Sequence, residues 1–249
     1  MKITVLTLFP EMFSGIIENS IVKRALAKGI FTLELVNIRD YTKDKYHRVD
    51  TPPIGGGAGL IMKCQPIVDA LSAHASSNAH IILTSPKGRT FKEDVAKEFA
   101  TYEHLVIICG HYEGIDARIE NFIDEEVSVG DYILTGGEIP AMAIIDATMR
   151  LLQGAIAGES TIDESFESNL LEYPQYTEPK DFAGYVVPPI LYSGNHALID
   201  KYRYKKSLQL TKKYRPDLFS KLELSAKDLA LLEEEDNSSW EVEAIKKSK

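Results

Sequence analysis

At 249 residues, with 44% hydrophobic and 26% charged side chains, the chain has the composition of one or two ordinary globular domains, not of a disordered or fibrous protein. No apolar run approaches the roughly 20 residues of a membrane span, and two cysteines, Cys64 and Cys109, are too few for a disulfide framework, so a reducing cytoplasm is the expected compartment. The formal net charge of −9 weighs against a surface that binds nucleic acid everywhere, but it is an average and leaves room for a local basic site.

In chain order, residues 3–9 are an apolar run ended by Pro10 and Glu11 with no small-residue cleavage site, so they read as a first core strand and not a secretion signal. Residues 11–28 carry helical periodicity through Phe13, Ile16, Ile17, Ile21 and Ala25 and stop at Gly29. Residues 31–38 are strand-like, 67–75 helical, 81–83 a short strand, 91–102 a charged amphipathic helix and 105–109 a further buried strand. An apolar helix over 140–152 opens on Pro140, where the missing N–H costs nothing. This alternation predicts an α/β fold with a mostly parallel sheet and helices on both faces. Its ligands should sit beyond the carboxyl ends of the strands, where the loops 39–59, 84–90, 110–116 and 129–137 fall. Residues 153–173 are polar and weakly periodic, as a linker or active-site segment would be. From about residue 190 the pattern is all-helical, with a long helix over 195–214 and shorter ones broken near Arg215-Pro216 and Ser238. The expected division is a cofactor-binding domain over 1–153, a linker over 154–173 and a helical domain over 174–249.

Gly55-Gly56-Gly57-Ala58-Gly59 is neither a Walker loop, which would end Gly-Lys-Ser/Thr, nor a dinucleotide fingerprint, because Leu60 stands where its third glycine belongs. By pattern alone it is equally a flexible turn or a ligand loop. Gly110-His111-Tyr112-Glu113-Gly114-Ile115-Asp116 directly follows a buried strand. Its glycines permit a sharp turn with backbone amides facing a ligand, and Glu113 and Asp116 offer acceptors for base edges, hydroxyls or Mg²⁺. Asp116 alone is also explained as a helix cap. Residues 129–140 place Gly130, Gly136, Gly137 and Pro140 around apolar Ile133 and Leu134, a composition suited to holding an adenine. The six histidines show no metal-ligand spacing, and no nucleophile elbow supports Ser-His-Asp chemistry. Charge is segregated: Lys201, Arg203, Lys205, Lys206, Lys212, Lys213 and Arg215 face only Asp200 within 196–215, a block able to meet phosphates or simply to be a solvated helix face.

Read together, Ser85-Pro86-Lys87-Gly88-Arg89, residues 109–116 and residues 129–140 resemble the three cofactor-binding loops of the bacterial tRNA (guanine-N1)-methyltransferases of the SPOUT superfamily. Arg48-Val49-Asp50 leading into the glycine run, Tyr176-Thr177, Pro188-Pro189 and Ser193-Gly194-Asn195-His196 are also similar, in the family's order over nearly the whole chain. The resemblance implies a SPOUT-type sheet threaded by a deep trefoil knot, a rare exception to unknotted connections, with a small all-helical C-terminal domain. It implies a cytoplasmic homodimer whose active sites combine the knot of one subunit with the C-terminal domain of the other, with tRNA as partner and no membrane. It further implies S-adenosyl-L-methionine as methyl donor, N1 of the guanosine at tRNA position 37 as acceptor, and a dependence on Mg²⁺ for which no ligand residue is assigned.

Carried over position by position, the resemblance implies cofactor contacts at Pro86, Gly110, Tyr112, Val129, Gly130, Asp131, Tyr132, Ile133, Leu134, Gly136, Gly137 and Pro140. Asp50, Glu113 and Ser165 are implied contacts to the target nucleotide or its neighbours, and Lys201, Arg203 and Lys205 to tRNA phosphates. Arg150 matches an arginine that stabilises charge on the reacting base. The catalytic base falls in Thr161-Ile162-Asp163-Glu164-Ser165-Phe166, where the family has Glu-Asp before Ser-Phe and this chain has Asp163-Glu164. Gapless alignment gives the role to Glu164, and a one-residue shift would give it to Asp163. His111 stands where the family often has arginine.

Overall fold

In the computed structural model five strands form one sheet in the order β2-β1-β6-β5-β7, every neighbouring pair parallel. They are β1 (Lys2–Thr7), β2 (Thr32–Asn37), β5 (His80–Thr90), β6 (His104–Cys109) and β7 (Glu125–Ser128); β3 (Asp50–Thr51) and β4 (Ile61–Met62) make a separate antiparallel pair. The structure describes residues 1–156, 165–166 and 169–234. The chain divides into two compact units, Met1–Gly158 and Glu159–Lys249.

β6 is buried from end to end, as a central parallel strand covered on both faces must be. Its residues alternate between two cores. Leu105, Ile107 and Cys109 join Ile3, Val5 and Ile82 beneath α2 (Ser20–Ala27), α4 (Glu93–Phe99) and α5 (Glu138–Arg150). Val106 and Ile108 join Leu6, Leu83 and Val36 beneath α3 (Cys64–His74). Helices therefore cover both faces, as the alternation predicts.

Three elements differ from the sequence reading. The helix expected over 11–28 is split into a 3-10 turn at Pro10–Phe13, α1 (Ser14–Ile17) and α2, because Ser20 adopts a positive φ of 55°. Its apolar positions Phe13, Val22 and Ala25 still reach one core. β5 is much longer than the three residues expected and carries a register shift between Thr84 and Arg89, where Ser85-Pro86-Lys87-Gly88 leave the ladder; Pro86 has no N–H to give to it. β7 carries only one aliphatic residue, Val127, beside Glu125 and Glu126, so no apolar pattern marks it.

The C-terminal unit contains α6 (His196–Tyr214), α7 (Pro216–Phe219) and α8 (Ala226–Glu233). It is not all-helical. A hairpin pairs β8 (Asp181–Phe182) with β9 (Tyr185–Val186), because Ala183 and Gly184 both take positive φ, as a two-residue hairpin turn requires, and Asp181 Oδ1 accepts from the Gly184 amide at 2.9 Å. α6 starts where Asn195 Oδ1 accepts from the Leu198 amide at 3.3 Å. Replacing Asn195 by alanine is expected to destabilise the protein by about 1 kcal/mol, read as a lower urea midpoint at unchanged slope.

Candidate active site

The carboxyl ends of β5, β6 and β7 open into a cleft of about 610 Å³, a size suited to a nucleoside-bearing small molecule. The register shift in β5 supplies one wall through Pro86 and Lys87, the turn after β6 a second through Gly110–Ile115, and the segment after β7 a third through 128–137. Of the residues expected to touch a cofactor, Pro86, Gly110, Tyr112, Val129, Gly130, Tyr132, Ile133, Leu134, Gly136, Gly137 and Pro140 line it. Asp131 is exposed and does not. Ile133 lines the cleft and is 82% exposed, an apolar surface open to a ligand.

The glycines here serve close approach. Gly137 has an ordinary backbone (φ −80°), yet a Cβ on it would stand 2.7 Å from Cys109 Cα and 2.8 Å from Gly110 N, and closer still to Thr84 Oγ1. Its amide donates to Gly110 O at 2.9 Å, tying the third wall to the second. Gly136 lies against His111 Nε2 and 2.6 Å, measured from an added Cβ, from Glu138 Oε2. Tyr112 holds a positive φ of 60°, a conformation that costs a non-glycine residue of order 1 kcal/mol or more and persists where the surroundings enforce it.

The 55–59 run does not line the cleft. Gly55, Gly56, Gly57 and Gly59 all take positive φ, and a Cβ on Gly59 would stand 2.6 Å from Glu113 Oε1. The run is thus a turn that backs Glu113, which does face the cleft. Asp50, on β3, reaches this region only through its pairing with Met62, whose amide donates to Gly114 O at 2.9 Å. Asp116 is committed locally: its carboxylate accepts from the Arg118 guanidinium and amide, which hold its pKa down at about 2. Lys87 bridges Glu120 at 2.5 Å and Glu126 at 3.0 Å across the mouth.

Two polar residues with no role assigned from the sequence lie beneath the cleft, behind His111 and Gly136. Glu138 is 1% exposed; its Oε1 accepts from Thr7 Oγ1 at 2.6 Å and its Oε2 lies 2.7 Å from His111 Nε2. A glutamate opening a helix just after two glycines was the available signal for Glu138, since that position suits an anion; nothing local marks Thr7. Beside them Cys109 is fully buried, and burial first, then the Glu138 carboxylate, pushes its thiol well above the usual range. A thiol kept protonated is a poor nucleophile. Native protein is therefore expected to leave Cys109 unalkylated by iodoacetamide at mildly alkaline pH, with labelling only after denaturation, as peptide mass spectrometry would read.

Other expected residues lie elsewhere. Arg150 ends α5, and Pro140, the α5 residue that lines the cleft, lies ten residues before it, about 15 Å along the axis. Asp163 and Glu164 lie outside the described residues. Ser165 belongs to the C-terminal unit, where its Oγ accepts from the Glu172 amide at 2.9 Å. Lys201 and Arg203 on α6 are partly exposed, pairing with Glu234 and Asp200 at 3.7 and 3.8 Å, and Arg203 lies over Tyr173 at 4.8 Å. Lys205 differs from its expected phosphate contact: it is fully buried, on the same stripe of α6 as Ile199, Tyr202 and Leu208. Among the described residues no three His, Cys, Asp or Glu side chains are placed to hold a metal ion, and no helix is long and apolar enough to cross a membrane.

The profile of one protein family, described as tRNA (Guanine-1)-methyltransferase TrmD, matches residues 1–221. Among similar curated proteins, the tRNA (guanine-N(1)-)-methyltransferase of Carboxydothermus hydrogenoformans is 52% identical over 234 residues, covering 93% of this chain and 92% of the relative. Those of Clostridium beijerinckii and Malacoplasma penetrans are each 50% identical, over 239 residues (95% of this chain, all of the relative) and 221 residues (89% and 98%). A profile match over most of the chain, together with half-identical relatives aligned nearly end to end, places this protein in the tRNA (guanine-1)-methyltransferase TrmD family.

Proposed function

We infer that the chain is an S-adenosyl-L-methionine-dependent tRNA (guanine-N1)-methyltransferase that acts on the guanosine at position 37, beside the anticodon. The observation that carries this reading is the cleft itself: glycine-lined turns at the carboxyl edge of a parallel sheet, packed so closely at Gly136 and Gly137 that no side chain fits there. The residues present suit the donor. Backbone amides and carbonyls of 110–112 and 129–137 match the polar edge of an adenine, Ile133, Leu134 and Val129 its faces, and the Glu113 carboxylate a cation. When bound, the donor supplies an electrophilic methyl carbon.

The remaining demands fall on this chain. Guanine N1 carries a proton at neutral pH, and a carboxylate must accept it for N1 to become a nucleophile. Glu164 takes that role, with Asp163 as the alternative, and Glu113 and Asp50 border the acceptor. Arg150, about 15 Å along α5 from the cleft-lining Pro140, fits a charge-stabilising role when a second copy presents it. That distance favours a homodimer with composite active sites. The tight passage of Gly137 between Thr84 and Cys109 favours the trefoil knot of the SPOUT fold. Residues 1–153 then form the cofactor domain, 154–173 the linker with the base, and 174–249 the tRNA-binding domain of a cytoplasmic enzyme.

The target base must leave the anticodon-loop stack to reach the cleft. Lys212 and Lys213, exposed at the end of α6, together with Lys201 and Arg203, form the phosphate-facing surface. tRNA affinity is expected to fall steeply with salt, and Lys212→Ala to lower the slope of log K against log salt by about 1. The decisive assay is methyl transfer from labelled donor to an unmodified tRNA transcript with guanosine at position 37. Product at guanine N1 supports the reading, whereas no transfer, or transfer to another atom, overturns it.

A further inference from the structure

The turn after β6 and the start of α5 meet beneath the cleft at a pair the proposed chemistry leaves unused. Glu138 is all but sealed from solvent, and each of its oxygens takes one short bond, from Thr7 Oγ1 at 2.6 Å and from His111 Nε2 at 2.7 Å. These partners end β1, open the turn after β6 and open α5, so one carboxylate joins three chain segments that are far apart in sequence. The imidazole is held on its other sides. Phe9 packs on it at 4.9 Å between centroids, and the His111 amide donates to Met62 Sδ at 3.2 Å. His111 is 15% exposed and borders the cleft, and Gly136 lies directly on both members of the pair.

We propose that His111 and Glu138 are positioning residues for the methyl donor: their bridge sets the spacing between the Gly110–Asp116 turn and the Gly136-Gly137 turn, whose backbone groups hold the donor. The inference rests on the reading that this cleft is the donor site. The physical reason is the asymmetry of buried polar groups. Removing His111 strands one oxygen of the sealed Glu138 carboxylate, removing Glu138 leaves the imidazole without its acceptor, and the cheapest relief in either case is for one turn to move away. The Gly137 amide bond to Gly110 O joins the same two turns at a single point and leaves their mutual angle to the bridge. Neither residue touches reacting atoms. The bridge therefore acts on donor affinity and not on the chemical step.

The test compares full-length variants by calorimetric titration with S-adenosyl-L-methionine, by melting temperature without donor, and by kcat at saturating donor. His111→Phe and Glu138→Met, which keep bulk but break the bond, are expected to raise the donor Kd tenfold or more, the scale of a stranded buried partner. His111→Gln, which can place an N–H near the lost Nε2, and Glu138→Gln, which keeps an acceptor, are expected to stay within about threefold of wild type, and kcat at saturation to change little. The double variant His111→Phe/Glu138→Met is expected to be no worse than the poorer single, as for one shared interaction. Should His111→Phe fail to fold, Thr7→Val, which removes the other bond to Glu138, is expected to raise Kd in the same sense. Additive losses, equal impairment in His111→Gln and His111→Phe, or a fall in melting temperature with donor Kd unchanged would each overturn the proposal. Wild-type protein that binds no donor would instead overturn the functional reading, and this inference with it.

Discussion

Glu164→Gln is expected to slow single-turnover methyl transfer by roughly 10²–10⁴-fold, the usual worth of a positioned general base, while donor and tRNA affinities stay near wild type. The amide keeps the size and reach of the side chain but cannot take the N1 proton. The barrier then includes either attack by the protonated guanine or proton loss to water. Asp163→Asn is expected to change the rate only a few-fold on the proposed assignment of the base to Glu164, one methylene longer than an aspartate. The acid–acid order is inverted in this chain, so the two variants discriminate. A large loss in Asp163→Asn with Glu164→Gln near wild type transfers the role to Asp163. Single-turnover conditions with saturating donor are required, because product release can hide a change in the chemical step. Near-wild-type rates in both variants would remove the base from this segment.

The general plan of the sheet was legible in sequence because a parallel strand buried on both faces needs an unbroken apolar run, and Leu105–Cys109 supplies one. The site's loops were legible for a related reason: glycines clustered after such strands have few other uses, and the structure gathers those of 110–114 and 130–137 around one cleft, while the 55–59 run lies outside it. What failed were contacts set by distance across the fold. β7 is held by its ladder to β5 and by the single buried Val127, with Glu125 pairing with His80 at 2.9 Å and Arg89 at 3.0 Å and Glu126 with Lys87, so its partners are remote in sequence and its four residues show no apolar pattern. Thr7 and Glu138 meet across 131 residues, which no local pattern encodes. Lys205 was misjudged by counting charge without helix phase: it lies three residues from Tyr202 and from Leu208, on the stripe that faces inward.

Gly137→Ala is expected to eliminate donor binding and to destabilise the protein by about 1–3 kcal/mol or more, the range for overpacking a filled interior. Backbone strain is not the cause, since φ at 137 is −80° and any residue adopts it, and the loss of glycine as the N-cap of α5 accounts for at most about 1 kcal/mol. The cause is space. Two of the three atoms a methyl would meet, Cys109 Cα and Gly110 N, belong to the backbone at the end of the central strand, and neither moves without opening the β5–β6 ladder. The third, Thr84 Oγ1, is buried and donates to Ile108 O at 3.1 Å. The chain must therefore shift at 136–138, which carries Gly136 off the His111–Glu138 bridge and widens the cleft floor. Gly15→Ala is the matched control: nothing lies within 4 Å of its added Cβ, and it sits in α1, so it should be neutral or mildly stabilising. Urea unfolding and donor titration of the two variants side by side separate crowding from a generic glycine effect. A Gly137→Ala protein with a wild-type midpoint and wild-type donor affinity would mean that the three walls are not held together at that residue.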